Sequence, residues 1–392
     1  MGTSDSKHAQ PLPAALSIAE RADLEHRTIS FAGFATAVHV LTAGSPFERS
    51  EFVTVYEKSV EKADTRQFLK DLAHGLQFYR PATAKPSPDP QYTPSDRFVD
   101  YLLFTISSSH STTDVFANSS SPPTSQQPPP LSAFSSFFAT SPHLHTLFTL
   151  LFTGTFFPSN PLPGSHPSLS PPASALLSRE DIFLLNESIP SETRLGAWKG
   201  LFSSDRDGGS WTVFTNRVEE AGATVLVVRD KRGNVFGGFA GSEWAVRPKF
   251  YGDASSFLFS LQPTMQIYRA SGINANYQYF NHGMHTLPNG IGFGGQLDYF
   301  GLWIDSSFER GHSRGDPRST TYDNPRLSGS AEFEVDFVEA WLIKPKEVDD
   351  RLVDDRKKGS ILGNTEAEAL LEMGGKTMVS KGYREPVREE EG

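Results

Sequence analysis

The sequence predicts an α+β protein, with a helical N-terminal part followed by an antiparallel β-sandwich that carries short helices. Two observations point there. Up to about residue 157 the apolar residues recur at helical intervals, and beyond Arg194 they fall into short runs separated by tight turns. No alternation of strand and long helix appears in that second part, so a doubly wound parallel sheet is not expected.

In the N-terminal part, Phe52, Val55 and Tyr56, and then Phe68, Leu69, Leu72 and Leu76, lie at spacings of three and four among charged neighbours, as on amphipathic helices. A Pro-rich break at Pro81 to Pro94 precedes another helix candidate at Phe98 to Ile106. Leu144, Leu147, Phe148, Leu151 and Phe152 form one helical stripe, and the run they belong to is too short and too interrupted to span a bilayer. Packing into the helical core is the expected fate of that stripe.

The expected organisation is a flexible start (1–12), a helical domain (13–157) with a disordered Ser/Pro insert (107–130), and a Pro/Ser linker (158–175). A β-rich domain (176–345) and a charged tail (346–392) follow. Within the β-rich domain, Ser210 caps a helix whose Trp211, Phe214 and Val218 share a face, with Gly222 as its closing residue. Thr224 to Arg229 and Val235 to Ala240 flank the turn Asp230 to Asn234, and Ser256 to Leu261 and Met265 to Tyr268 flank Gln262-Pro263-Thr264. Further strands are expected at Tyr277 to Phe280, Ile291 to Gly294, Phe300 to Ile304 and Phe333 to Ile343. In the tail, Thr365 caps a short helix over 365–373.

Composition excludes several kinds of function. With 36 basic against 46 acidic side chains, the net charge of −10 offers no footprint for nucleic acid. The absence of cysteine removes disulfides, Cys-ligated zinc and thiol catalysis. No secretory pattern or membrane-spanning run is evident, so a cytoplasmic chain, soluble or peripherally attached, is expected. Met1-Gly2-Thr3-Ser4-Asp5-Ser6 fits the myristoylation pattern, with Gly2 as the acceptor. A single acyl chain binds membranes only marginally, and the basic residues that follow are offset by acidic ones.

No catalytic constellation stands out. Gly290-Ile291-Gly292-Phe293-Gly294-Gly295 satisfies a dinucleotide fingerprint formally, but its sequel reads as strand, not as the helix that must receive a pyrophosphate. His282, His285 and His312, with Asp305 and Glu309, match no metal-ligand spacing and are expected to be surface or hydrogen-bonded loop residues. Asp205-Arg206-Asp207-Gly208-Gly209 lacks the twelfth-position Glu of a calcium loop and reads as a tight turn. No catalytic residue, metal or cofactor is therefore expected. The density of rings beside glycines, as in Phe236-Gly237-Gly238-Phe239 and Tyr299-Phe300-Gly301-Leu302-Trp303, is expected to be mostly core, with any exposed ring available to a partner.

Taken in order, Trp198, Leu201 to Ser210, Thr224 to Val228, Val235 to Phe239, Gly290 to Gly295, Phe300 to Asp305, Gly311-His312-Ser313, Thr320-Thr321-Tyr322 and Val338 to Trp341 resemble the TLDc family. Within it the chain is similar to the lysosome-associated, mTOR-linked type. The likeness extends to the acylatable Gly2 and to a tail that includes Lys358 to Leu362, Glu368 to Glu372 and Gly382 to Glu385. The resemblance implies a two-sheet antiparallel sandwich and a non-enzymatic adaptor that binds the peripheral sector of the V-type proton ATPase at lysosomal or vacuolar membranes. In that reading the tail helix, through Glu366, Ala369, Leu370 and Met373, is a second contact, and mTOR pathway components are further partners. The alternatives are an oxidative-stress-resistance protein or a signalling scaffold that acts independently of the proton pump.

Overall fold

The computed structural model describes residues 22–23, 28–29, 31–45, 47–50, 65–81, 89, 91–108, 142–156 and 166–347. Gly2, most of the Ser/Pro insert, the helix expected around Phe52 and the tail beyond residue 347 lie outside the described residues.

The N-terminal part forms a short ladder, β1 (Ala22–Asp23) with β2 (Thr28–Ile29), and the helices α1 (Phe31–Ala43), α2 (Thr65–Ala73), α3 (Asp96–Ser108) and α4 (Pro142–Phe156). A 3₁₀ turn over His74–Phe78 extends α2 and carries Leu76 into the core. The expected stripes are the buried ones: Leu69, Leu72, Phe98, Leu102, Leu144 and Leu147 are all inaccessible or nearly so, while Leu151 and Phe152 pack at the cluster margin. No helix among the described residues is long and apolar enough to cross a membrane.

The chain then enters β3 (Ser168–Ser170), α5 (Arg179–Ser188), β4 (Ala197–Ser203), the single turn α6 (Ser204–Asp207) and α7 (Trp211–Val218). The strands β5 (Gly222–Asp230), β6 (Val235–Ala240), β7 (Phe257–Gln262), β8 (Gln266–Arg269) and β9 (Gln278–Asn281) follow. Last come β10 (Gly290–Gln296), β11 (Tyr299–Asp305), β12 (Arg310–His312) and the long β13 (Glu332–Pro345). The expected α+β class, with an antiparallel β region behind N-terminal helices, is what the fold shows. Each strand expected in the second half is present within a residue or two of its expected limits.

β13 organises the sandwich. Its first three residues pair with β12 in a sheet ordered β13-β12-β11-β10-β9, whereas Val335 onward pairs with β5 in a sheet ordered β13-β5-β6-β7-β8. A register shift between Val335 and Phe337 marks the transfer, a bulge that turns the strand from one layer to the other. β4 pairs with the far side of β13 and, in parallel, with β3, inside the stretch whose sequence reads as linker.

The sheet built on β5, β6 and β7, the first in chain order, is buried on both faces across these three strands, and its alternation sorts side chains between two cores. Leu226 and Val228 of β5, Phe236 of β6 and Leu258 of β7 meet Phe280, Ile291, Phe293, Leu302 and Ile304 of the second sheet, which forms the sandwich interior. Val225, Val227, Phe239, Phe257 and Phe259 point the other way and share one hydrophobic cluster with α2 to α5. This explains why β5 and β6 read as continuous apolar runs: both faces need apolar residues.

Helix α5 is the seam between helices and sheet, and its polar side chains are as buried as its apolar ones. Ser178 and Asp181 form a reciprocal capping box at its start. Glu180 accepts from the Tyr92 hydroxyl (2.9 Å), the Ser95 amide (2.7 Å) and the Ser95 hydroxyl, and Glu187 pairs with Arg194 at 3.0 Å and accepts from Thr146. Every buried carboxylate on the helix thus has partners, the condition under which burial is tolerable.

One expected detail differs. Gly222 does not close α7: the helix ends at Val218, Glu220 turns the chain at φ 55°, and Gly222 is already the first residue of β5. The Glu219 amide caps the last turn by donating to Thr215 O, so a glycine is not required to stop the helix.

Candidate interaction surface

The glycine-rich run over Gly290–Gly295 is a strand held between β9 and β11. A methyl group at Gly292 would lie 2.8 Å from the rings of Phe300 and Trp303, and one at Gly295, where φ is 82°, would lie 2.0 Å from Tyr299 O. These glycines let aromatic rings and neighbouring backbone close over the sheet, and the strand leads into β11, not into a helix.

The histidines are dispersed. His282 Nε2 lies 3.6 Å from the Glu219 carboxylate, and His285 is on an exposed loop. His312 packs against Phe300 and Trp303, where burial drives its pKa down to about 4. Asp305 is occupied with the Ser307 amide and hydroxyl, in a turn that ends at the exposed Glu309. No group of three or more His, Cys, Asp or Glu residues suited to a metal occurs among the described residues.

Asp207 belongs to a local clamp. It pairs with Arg206 (2.7 Å) and Arg217 (2.8 Å) and accepts from the Ser203 amide, which holds its carboxyl down at about 2, the Arg206 hydrogen bond being the largest cause. It ties the α6 turn to α7.

What the domain presents outward is a set of three loops locked together at one end of the sandwich. Ser271 donates from its amide to Thr321 O (2.8 Å) and from its hydroxyl to Thr320 O (2.6 Å), while Asn274 donates to Thr320 Oγ1 (2.9 Å). Thr321, fully buried, donates to Asn274 Oδ1 and accepts the Gly295 amide, both at 2.8 Å. Asn276 donates to Gly295 O (2.7 Å), Tyr299 to Pro317 O (2.6 Å) and Tyr322 to Tyr277 O (2.8 Å).

On this rigid base stand two large apolar side chains, Ile273 at 73% exposure and Leu297 at 39%. Both are aliphatic; of the rings beside glycines, Phe236, Phe239, Phe300 and Trp303 are buried, as expected of core, and Tyr299 is half-buried. Leu297 occupies a tight β10–β11 turn beside Asp298, whose φ is 66°, a place where polar residues or glycine are usual. An apolar residue at a hairpin tip is the signal in the sequence for this surface.

A model of the TLDc domain matches residues 171–344. Residues 171–344 are a TLDc domain. Its matched limits begin at the cis Ser170-Pro171 bond after β3 and end within β13, so they enclose β4 to β12, nearly all of β13, and α5. The chain is 40% identical over 248 residues to the MTOR-associated protein MEAK7 of Danio rerio, covering 61% of this chain and 53% of that protein. It is 42% identical over 213 residues to the MTOR-associated protein MEAK7 of Homo sapiens, covering 54% and 46%. Similarity to the oxidation resistance protein 1 of Bos taurus is lower, 28% over 180 residues, 45% of this chain and 19% of that protein. The chain spans about half the length of the MEAK7 relatives it matches.

The remaining expected contact residues of this chain, Gly2 and the set Glu366, Ala369, Leu370 and Met373, lie outside the described residues.

Proposed function

We propose that this chain is a non-enzymatic TLDc adaptor that docks on the peripheral sector of the V-type proton ATPase at a lysosomal or vacuolar membrane and is linked to mTOR-type signalling. The observation that carries the reading is the pre-organised loop surface, where Ile273 and Leu297 project from a hydrogen-bonded base whose ordering is already complete before a partner arrives. Rigid surfaces of this kind lose little entropy on association, and exposed aliphatic groups are the desolvated centre that a protein partner covers.

The names of the relatives support the signalling half of the reading, since similarity to the MEAK7 proteins extends past the domain limits: 248 residues align where the domain spans 171–344. The pump as partner rests on the family resemblance set out above. A membrane location rests on Gly2 acylation together with that docking, because one acyl chain alone is a marginal anchor. The test is affinity capture of the full chain from detergent-solubilised lysosomal or vacuolar membranes. V-ATPase peripheral subunits are expected in the captured material. Their absence, under conditions where an oxidation-resistance relative retrieves them, overturns the pump reading and leaves a scaffold that works without it.

A further inference from the structure

Strand β8 leads directly into the loop that carries Ile273. Its alternation sends Ile267 and Arg269 toward the helices, where Ile267 packs against the shared cluster, and sends Tyr268 to the sandwich interior. Arg269 is the cross-strand partner of the buried Phe257, and its guanidinium lies over that ring, 5.7 Å from the centroid. β8 is an edge strand: among the described residues it pairs with β7 alone. No second strand fixes its end.

Arg269 supplies a different hold. Ser188 is the last residue of α5, and its carbonyl is one of those that a helix C-terminus leaves without an intrahelical donor. Arg269 donates from Nη1 to Ser188 O at 3.2 Å, which also places a cation at the negative pole of the helix. The same charge is felt on α4: after burial, it is the next influence that lowers the His143 pKa. One exposed side chain thus joins β8 to the point where the helices meet the sheet.

On the loop side, Ser271 follows almost at once. Its amide and hydroxyl donate to Thr321 O and Thr320 O, and the Ile273 amide donates to the Ser271 hydroxyl at 3.2 Å. The bonds to Thr320 and Thr321 tie the loops to one another, whereas Arg269 ties their stem to α5. We propose that Arg269 is a positioning residue for the Ile273 loop, through which α5 and the helices packed on it keep the loop surface in order. Its bearing on function rests on the reading of that surface as the docking face; the link itself does not. The helical half then contributes to docking even where it makes no contact with the partner.

The test is hydrogen–deuterium exchange of the full chain, followed by mass spectrometry over residues 270–276, 185–192 and 222–230. In Arg269→Ala the first two segments are expected to exchange about tenfold faster, the scale of one lost charge-assisted hydrogen bond, while the third, in β5, is unchanged. Arg269→Lys keeps a cation within reach of the carbonyl and should retain most of the protection. A loss of β8 packing alone would loosen 270–276 and leave the end of α5 as it was. Unaltered exchange over either of the first two segments, or equal acceleration in all three, overturns the proposal. V-ATPase capture by the same variants separates the two readings. Loss of capture in Arg269→Ala, with Arg269→Lys like the wild type, connects the link to docking, and a loosened loop with capture intact supports the link and counts against the docking face.

Discussion

The Arg97 guanidinium lies 3.0 Å from the Asp181 carboxylate and also donates to Leu261 O at 2.6 Å, so one side chain of α3 holds both α5 and the end of β7. Asp181 is 1% exposed, and burial, the largest influence, raises its pKa against the opposing pull of Arg97 and Ser178. Arg97→Met leaves a buried carboxylate without its cation and should cost about 3–5 kcal/mol in urea unfolding at pH 7. Because the folded pKa is raised, the folded state binds the proton more tightly. The contribution of Asp181 therefore falls as pH rises from the unfolded value of 3.8, and the variant should recover part of its loss near pH 4. A loss under about 0.5 kcal/mol would mean that the helices are not anchored to the sheet through this pair.

His143 makes the second stability prediction. It is 3% exposed among Tyr101 and Phe183, and burial lowers its pKa to about 4 from 6.5. The folded state then binds fewer protons than the unfolded chain between these values. The stabilisation is full above pH 6.5 and is lost as pH falls toward 4, by about 2 kcal/mol at pH 5. His312 acts in the same direction. His143→Phe keeps the ring and removes the titration, so its stability should fall less between pH 7 and pH 5 than that of the wild type. An identical pH slope in both proteins rules the assignment out.

The glycines of β10 predict a sharp contrast. Gly295→Ala forces a methyl group to within 2.0 Å of Tyr299 O at φ 82° and should cost about 3 kcal/mol or more. Gly209→Ala meets nothing within 4 Å and should change stability by no more than about 0.5 kcal/mol. Thermal melts compare the two. In the same melts ATP and NAD should leave the wild-type midpoint unmoved, and a stabilising shift by either would restore the nucleotide reading of the Gly290–Gly295 run.

These contrasts show where the sequence was legible. Strand alternation and turn residues are local, so β5 to β8 with their two hairpins could be located from Asp230 to Asn234 and from Pro263 alone. The rejection of Gly290–Gly295 as a phosphate loop was equally local, because the strand that follows it is written in Phe300 to Ile304. Helix α5 went unrecognised, since a helix buried all round shows no apolar stripe and its Glu180, Asp181 and Glu187 resemble a solvated face. Its capping box at Ser178 and Asp181 was the one readable mark. β4 has no clean alternation and depends on pairing with β13, far along the chain, while β12 is only three residues long, so neither is legible locally. Gly222 misled for a related reason: strand pairing with Pro345, not the helix before it, sets its position.

The loop surface yields the prediction closest to function. Ile273 and Leu297 are exposed, so Ile273→Asp and Leu297→Asp remove no core packing and should leave the melting temperature within a degree or two, the scale of surface substitutions. If this end of the sandwich is the docking face, the double variant buries two carboxylates against an apolar partner patch and should lose V-ATPase capture by at least about tenfold. Thr321→Val provides an independent approach. It keeps the shape of a fully buried side chain and deletes the hydroxyl that accepts the Gly295 amide and donates to Asn274, loosening the base beneath both apolar residues without altering them. Weakened capture in this variant, with the exposed residues intact, would show that the rigidity of the loops contributes to binding. If the double variant and Thr321→Val both capture the pump like the wild type, the docking face lies elsewhere on the domain. Quantitative immunoblotting of the captured peripheral subunits, normalised to bait, distinguishes these outcomes.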